Sequence, residues 1–185
     1  MVVFLRRIRL VSLCAAVLPL LILWSCGSAR KATHVRPSSA DYVKEIESAY
    51  HLDRQQRMLI EEAYSWLGTP YAYAMQDKGE GTDCSGMVMA VYRDVVGCLL
   101  PRNSAKQAEF CERIEEKDAR IGDLVFFATG KDPEKISHVG IIVDPDNFIH
   151  ASTTKGVVVS KFHTPYYTAR LKMYGRVPKH KSGRD

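Results

Sequence analysis

Two periodicities divide the chain. Between positions 41 and 111 apolar residues recur at helical spacing. Helical signals begin near Asp41, and Asp53 then reads as the N-cap of a second helix carrying Leu59, Ile60, Ala63, Tyr64 and Leu67. Gly68, with Pro70 beyond, stops it. A loop through Gly79, Gly81 and Thr82 leads to a third helix that opens at Cys84, sets Val88, Val91, Tyr92 and Val95 on one side, and ends at Gly97. Ser104 and Gln107 have the S-x-x-Q spacing of a capping box and predict a fourth helix running toward Cys111.

After Gly122 the pattern changes. "DLVFF", "HVGIIV", "NFIHAS", "GVVVSKF" and "LKMYGRV" are short β-branched or aromatic runs separated by turn chemistry such as "DPDN". Helices followed by strands predict an α+β fold, an antiparallel sheet of five to six strands with helices packed on it.

The N-terminus carries a different message. Arg6, Arg7 and Arg9 precede a mostly apolar stretch over residues 10–24, shorter than the about 20 residues of a membrane span. It reads as an export signal over residues 1–25. The following "LWSC" and Gly27 resemble the bacterial lipobox, which makes Cys26 the expected lipid-modified residue. An ordinary secretory signal cut near Ser28 or Ala29 is the alternative. Residues 26–40 are polar and rich in Ser, with Gly and Pro, and read as a tether. Residues 41–178 form the expected catalytic domain, and 179–185 a basic tail.

Charge narrows the partners. Removing the signal's three arginines takes the 26 Lys and Arg to 23, against 21 Asp and Glu. That near-balance implies no nucleic-acid face. The expectation is a monomer, exported and lipid-anchored at the periplasmic face of the outer membrane. With Cys14 in the signal and Cys26 lipidated, Cys84, Cys98 and Cys111 remain. A Cys98–Cys111 disulfide is permitted by an oxidising compartment but not established by spacing. No cysteine–histidine cluster has zinc spacing, so neither metal nor cofactor is expected.

Cys84 is therefore the residue with chemistry to explain. A thiolate is the useful nucleophile, and a helix N-terminus favours the anion. His138 opens one strand and His150 sits in the next, both downstream of Cys84, in the order nucleophile, base, orienting group. If those strands form a hairpin, an odd loop such as residues 143–147 puts both histidines on one face, whereas a four-residue "DPDN" loop puts them on opposite faces. A working triad requires the odd loop or a bulge.

Seven segments, "WLGTPY", "TDCSGMV", "LPRNSAKQ", "IGDLVFF", "SHVGIIV", "NFIHAS" and "YGRV", occur in the order found in the NlpC family of bacterial cell-wall cysteine peptidases. The resemblance covers residues 58–177 and implies a papain-like fold with the nucleophile helix packed against the sheet. It places the nucleophile on Cys84, the base on His138 and the third member on His150, as in the Cys-His-His subgroup. Tyr71 matches a tyrosine near the nucleophile that could complete an oxyanion hole. Asp83 and Ser85 match a pair contacting the substrate residue ahead of the scissile bond, although Asp83 is equally a helix N-cap. Arg102 reads as a surface residue, with a substrate carboxylate as the alternative. The chain departs from the family at Ala74 and Met75, where two glycines are usual, so the cleft wall should be bulkier. The implied substrate is peptidoglycan stem peptide, cut between D-glutamate and a diamino acid. A cysteine amidase or acyltransferase on the same scaffold, or a non-catalytic wall-associated lipoprotein, are the other readings.

Overall fold

The structure is a computed structural model that describes residues 38–178. The expected signal over residues 1–25, the expected lipid site at Cys26, most of the expected tether and the basic tail lie outside the described residues. Helix α1 (Ser39–Ala49) starts two residues earlier than the expected domain boundary at Asp41. Asp41 is its third residue, returning a bond to the Ser38 backbone N–H at 2.9 Å in a capping box. Helix α2 (Arg54–Ser65) repeats the device with Asp53 and Gln56. Leu67 falls in the turn after it, and Gly68 takes φ 83°.

A two-stranded hairpin, β1 (Gln76–Asp77) and β2 (Gly81–Thr82), feeds helix α3 (Cys84–Val96). Asp83 caps α3, and Gly97 ends it in the left-handed region at φ 67°. Every residue from Cys84 to Tyr92 is buried. The helix is thus enclosed all round rather than on the one side its valines suggest, because α2 covers one flank and the sheet another. Helix α4 (Ser104–Phe110) is capped by Asn103, whose side chain accepts the Lys106 N–H at 2.9 Å. The Ser104–Gln107 capping box is not formed. Asn103 is equally suited to the cap, and Gln107 is drawn away to bury its amide.

Strands β3 (Glu112–Ile114), β4 (Leu124–Phe127), β5 (His138–Ile142), β6 (Asn147–Ser152), β7 (Gly156–Lys161) and β8 (Leu171–Arg176) complete the chain, with the one-turn helix α5 (Pro165–Thr168) between the last two. They build a six-stranded antiparallel sheet in the order β3-β8-β4-β5-β6-β7. Both faces are covered. Leu124, Phe126, Val139, Ile141, Ile149 and Ala151 face the helices, while Val125, Phe127, Ile142, Phe148, Phe162 and Tyr174 form a second, aromatic cluster. Double coverage explains why β4 reads as an unbroken apolar run rather than an alternation.

Candidate active site

The β5–β6 hairpin decides where the histidines point. Ile141 faces Ile149 and Ile142 faces Phe148, and Val143 N–H donates to the Asn147 carbonyl at 3.0 Å. The intervening loop is odd, as the same-face arrangement requires. His138 and His150 therefore share a face, two residues apart on the diagonal. Their rings meet edge to face, with His138 Nε2 2.8 Å from His150 Nδ1. That face is the aromatic one, where His150 stacks on Phe148 and His138 lies near Phe127.

Cys84 approaches from the helical side. Paired positions between β5 and β6 stop at Ile141 and Ile149, so the Val139 N–H, which alternation aims toward β6, is left off the ladder. It is near enough to Cys84 to pull that thiol's pKa down. Val139 follows His138 in β5, the strand against which α3 packs. Burial pushes the Cys84 thiol up to about 11, against the opposing pull of the Val139, Ser85 and Cys84 N–H groups. The expectation that the helix end makes the resting group anionic is corrected: desolvation outweighs the dipole. Burial also lowers His138 to about 4, and burial together with His138 and Lys155 lowers His150 to about 3. The resting site is a neutral thiol beside two neutral imidazoles.

Tyr71 is brought alongside by a parallel bridge to Thr82. Burial raises its hydroxyl's pKa, and the neighbouring Cys84 and Asp83 raise it further. Asp83 is fully engaged. Its Oδ1 accepts from Gly86 N–H at 2.7 Å, Arg102 Nη1 at 2.9 Å and Ser85 Oγ at 3.1 Å. Its Oδ2 accepts from Arg102 Nη2 at 2.8 Å and Ala74 N–H at 2.9 Å. Burial raises its carboxyl, but Arg102 and the two amides outweigh that and leave it below the usual carboxylate range. Five donors saturate a carboxylate, so Asp83 and Ser85 face an internal network rather than an open subsite. Arg102 keeps an exposed side chain but spends its guanidinium as a fork closed on Asp83, not on open solvent. Sequence gave no sign of this, because Arg102 lies nineteen residues from Asp83.

Three further residues join the site only in space. Gln107, fully buried, donates to the Ser85 and Pro101 carbonyls at 3.0 and 2.9 Å. Ser160 Oγ lies 2.9 Å from His150 Nε2, and Tyr167 OH lies 3.2 Å from the same nitrogen. The signal for Ser160 was a lone polar residue closing the apolar "GVVVS". Cys98 and Cys111 are free thiols, both buried and without a disulfide. A cavity of about 670 Å³ lies elsewhere, between α1 and β7, and none of Cys84, His138 and His150 lines it. Among the described residues no group of three or more His, Cys, Asp or Glu is placed to hold a metal ion.

A family model described as NlpC/P60 family matches residues 68–176. The chain belongs to the NlpC/P60 family. α1 and α2 lie ahead of the matched span, whereas Tyr71, Cys84, His138, His150, Ser160 and Tyr167 all lie within it. Among curated proteins, a "Probable endopeptidase" of Haemophilus influenzae is 41% identical over 120 residues, covering 65% of this chain and 73% of that one. The "Murein DD-endopeptidase MepS/Murein LD-carboxypeptidase" of Escherichia coli (strain K12) is 34% identical over 119 residues, or 64% of this chain and 61% of that one. A solved NlpC/P60 family protein from Bacillus cereus superposes with a TM-score of 0.61 at 28% identity, over 66% of this chain and 40% of that longer one. The α+β fold with its antiparallel sheet is that of these neighbours.

Proposed function

We propose that this chain is a cysteine endopeptidase that hydrolyses peptidoglycan stem peptides at the D-γ-glutamyl–diamino acid bond. One observation carries the reading: two imidazoles joined at 2.8 Å lie on the strands β5 and β6, against which packs the helix that Cys84 opens. His138 spends Nε2 on His150, so Nδ1 is the nitrogen left for the thiol.

Charge develops only with substrate in place. His138 Nδ1 takes the Cys84 proton as the sulfur attacks the amide carbonyl carbon. The tetrahedral oxyanion is held by the Cys84 backbone N–H and the Tyr71 hydroxyl. The amine leaves with the proton from the His138 imidazolium, and water, deprotonated by the same ring, then cleaves the thioester. His150 keeps the His138 ring aimed throughout, the part an aspartate plays in other triads.

The names of similar proteins support a cell-wall substrate, and the Escherichia coli relative favours a second reading, cleavage of the D,D cross-link. Digestion of whole sacculi by the chain from Gly27 onward separates the two by product mass. Split stem peptides support the D-γ-glutamyl bond, and opened cross-links with intact stems support the other. Activity surviving Cys84→Ala overturns both. The proposal extends to lipid at Cys26 and a periplasm-facing anchor in the outer membrane. Mass analysis of the mature N-terminus, with Cys26→Ser as comparison, tests it, and an unmodified Cys26 in the exported chain defeats it.

A further inference from the structure

We infer that Ser160 and Tyr167 are positioning residues that accept the His150 Nε2–H and so stabilise the ring pair once His138 has taken the Cys84 proton. This rests on the reading of Cys84 and His138 given above and goes beyond the three residues the family resemblance assigns.

The reasoning is a count of protons along one line. A single hydrogen occupies the 2.8 Å gap between His138 Nε2 and His150 Nδ1. If it belongs to His138, then His138 Nδ1 is bare and can act as a base, and the proton of His150 must sit on Nε2. If it belongs to His150, His150 Nε2 is bare, the proton of His138 sits on Nδ1, and the base toward the sulfur is gone. The two states differ chiefly at His150 Nε2, which either donates or does not.

His150 is 1% exposed, so water does not receive that hydrogen. The hydroxyl oxygens of Ser160 and Tyr167 converge on it at 2.9 and 3.2 Å, from β7 and α5. Ser160 also lies near enough to Tyr167 to lower that hydroxyl's pKa against the effect of burial. A hydroxyl accepts from an N–H and equally donates to a bare ring nitrogen, so the two satisfy His150 Nε2 in either neutral state. In the cationic pair that freedom is gone, because a doubly protonated His138 donates to His150 Nδ1 and leaves His150 Nε2 to donate to the hydroxyls. Once His138 becomes cationic, the same oxygens stabilise charge that spreads along the hydrogen-bonded rings. Packing holds Tyr167 in place independently of its hydroxyl, with its ring centroid 4.9 Å from Phe148 and 5.1 Å from Phe127.

The titratable groups around the pair are few. Lys155 acts on His150 from the β6–β7 turn, Tyr167 faces it from α5, and Cys84 approaches from α3, while β4 and β7 present Phe127 and Ser160. Tyr166 stands one ring further out against Tyr167.

The test compares the full chain with Ser160→Ala, Tyr167→Phe, the double variant and Ser160→Thr. Two readouts are taken from about pH 2.5 to about pH 9, stem-peptide hydrolysis and iodoacetamide alkylation of Cys84 followed by peptide mass. Each single variant should lower kcat about 10-fold and the double about 100-fold, with KM within about 2-fold of the parent. Removing an acceptor disfavours the cationic pair, so the acid limb should move to lower pH in both readouts. Ser160→Thr, which keeps a hydroxyl, should restore rate and limb. A folded double variant with parental kcat and parental limb overturns the inference, and so does a fall in kcat with the limb unmoved. Should the double variant fail to fold, Tyr167→Phe, which keeps its packed ring, decides on the same criteria. Survival of hydrolysis in Cys84→Ala marks failure of the nucleophile assignment instead, and the alkylation arm stands whatever bond the enzyme cuts.

Discussion

Arg102 closes on Asp83 with both arms of its guanidinium, Nη1 to Oδ1 at 2.9 Å and Nη2 to Oδ2 at 2.8 Å. Asp83 meanwhile caps α3 one residue ahead of Cys84. The ion pair and the nucleophile's helix therefore share one carboxylate, and disturbing either should be felt at the sulfur.

Arg102→Ala should lower stability by about 1–3 kcal/mol, less than a fully buried pair, because the arginine side chain is 39% exposed against 9% for the aspartate. The folded carboxyl titrates below its unfolded value, so the stabilisation is present above the unfolded pKa and fades as pH falls through the folded one. Urea titrations should accordingly show the gap between parent and variant closing below about pH 4. A gap independent of pH would rule out the ion pair as its source.

Gly86 has no room for a side chain. An ideal Cβ there would lie 2.3 Å from the Met75 carbonyl oxygen, an atom that also accepts the Asp83 N–H at 3.1 Å. Gly86→Ala should cost about 3 kcal/mol and displace the head of α3, taking activity with it. Parental melting temperature and turnover in this variant would contradict that.

Ala74 is the one non-glycine residue with positive φ among those described, at 63°. It gives its N–H to Asp83 at 2.9 Å, which holds it there. Relief of the left-handed penalty, offset by glycine's larger unfolded-state entropy, leaves Ala74→Gly a gain of about 0.5–1 kcal/mol. Thermal unfolding measures it, and a destabilised variant would be the contrary result.

The histidines impose an acid limit on the fold. Both titrate in the folded state well below 6.5, at about 4 for His138 and about 3 for His150, so the unfolded chain binds protons first. Stability should therefore fall as pH drops below about 6.5 and keep falling toward those values, by up to about 1.4 kcal/mol per pH unit for each ring. His150→Gln should flatten that slope, and an unchanged slope would mean that other groups carry it.

Tyr71→Phe should reduce kcat on the order of 10²-fold with little change in KM, if its hydroxyl meets the oxyanion rather than the ground state. A rise in KM alone would move Tyr71 to substrate binding.

Much of this was legible along the chain. The caps at Asp53 and Asp83, the stop at Gly97 and the strand runs after Gly122 are set by contacts within a few residues, which is the range over which sequence pattern speaks. The parity of the Ile142–Phe148 connection was open as a choice between two loop lengths, and each length carried its consequence for His138 and His150. Position 103 was missed because two adjacent polar residues can each cap, and only the burial of Gln107 selects between them.

What sequence by itself determined was the family and the α+β order of elements, and it singled out Cys84, His138 and His150 as the candidates for chemistry. Only the tertiary structure decided that the sulfur is a protonated thiol, that Arg102 fills Asp83, and that Ser160 and Tyr167 stand behind His150. The physical reason is the same in each case. Desolvation and side-chain hydrogen bonds depend on which distant residues exclude water from a group, and neither burial nor a bond spanning nineteen residues leaves a local trace in the order of amino acids.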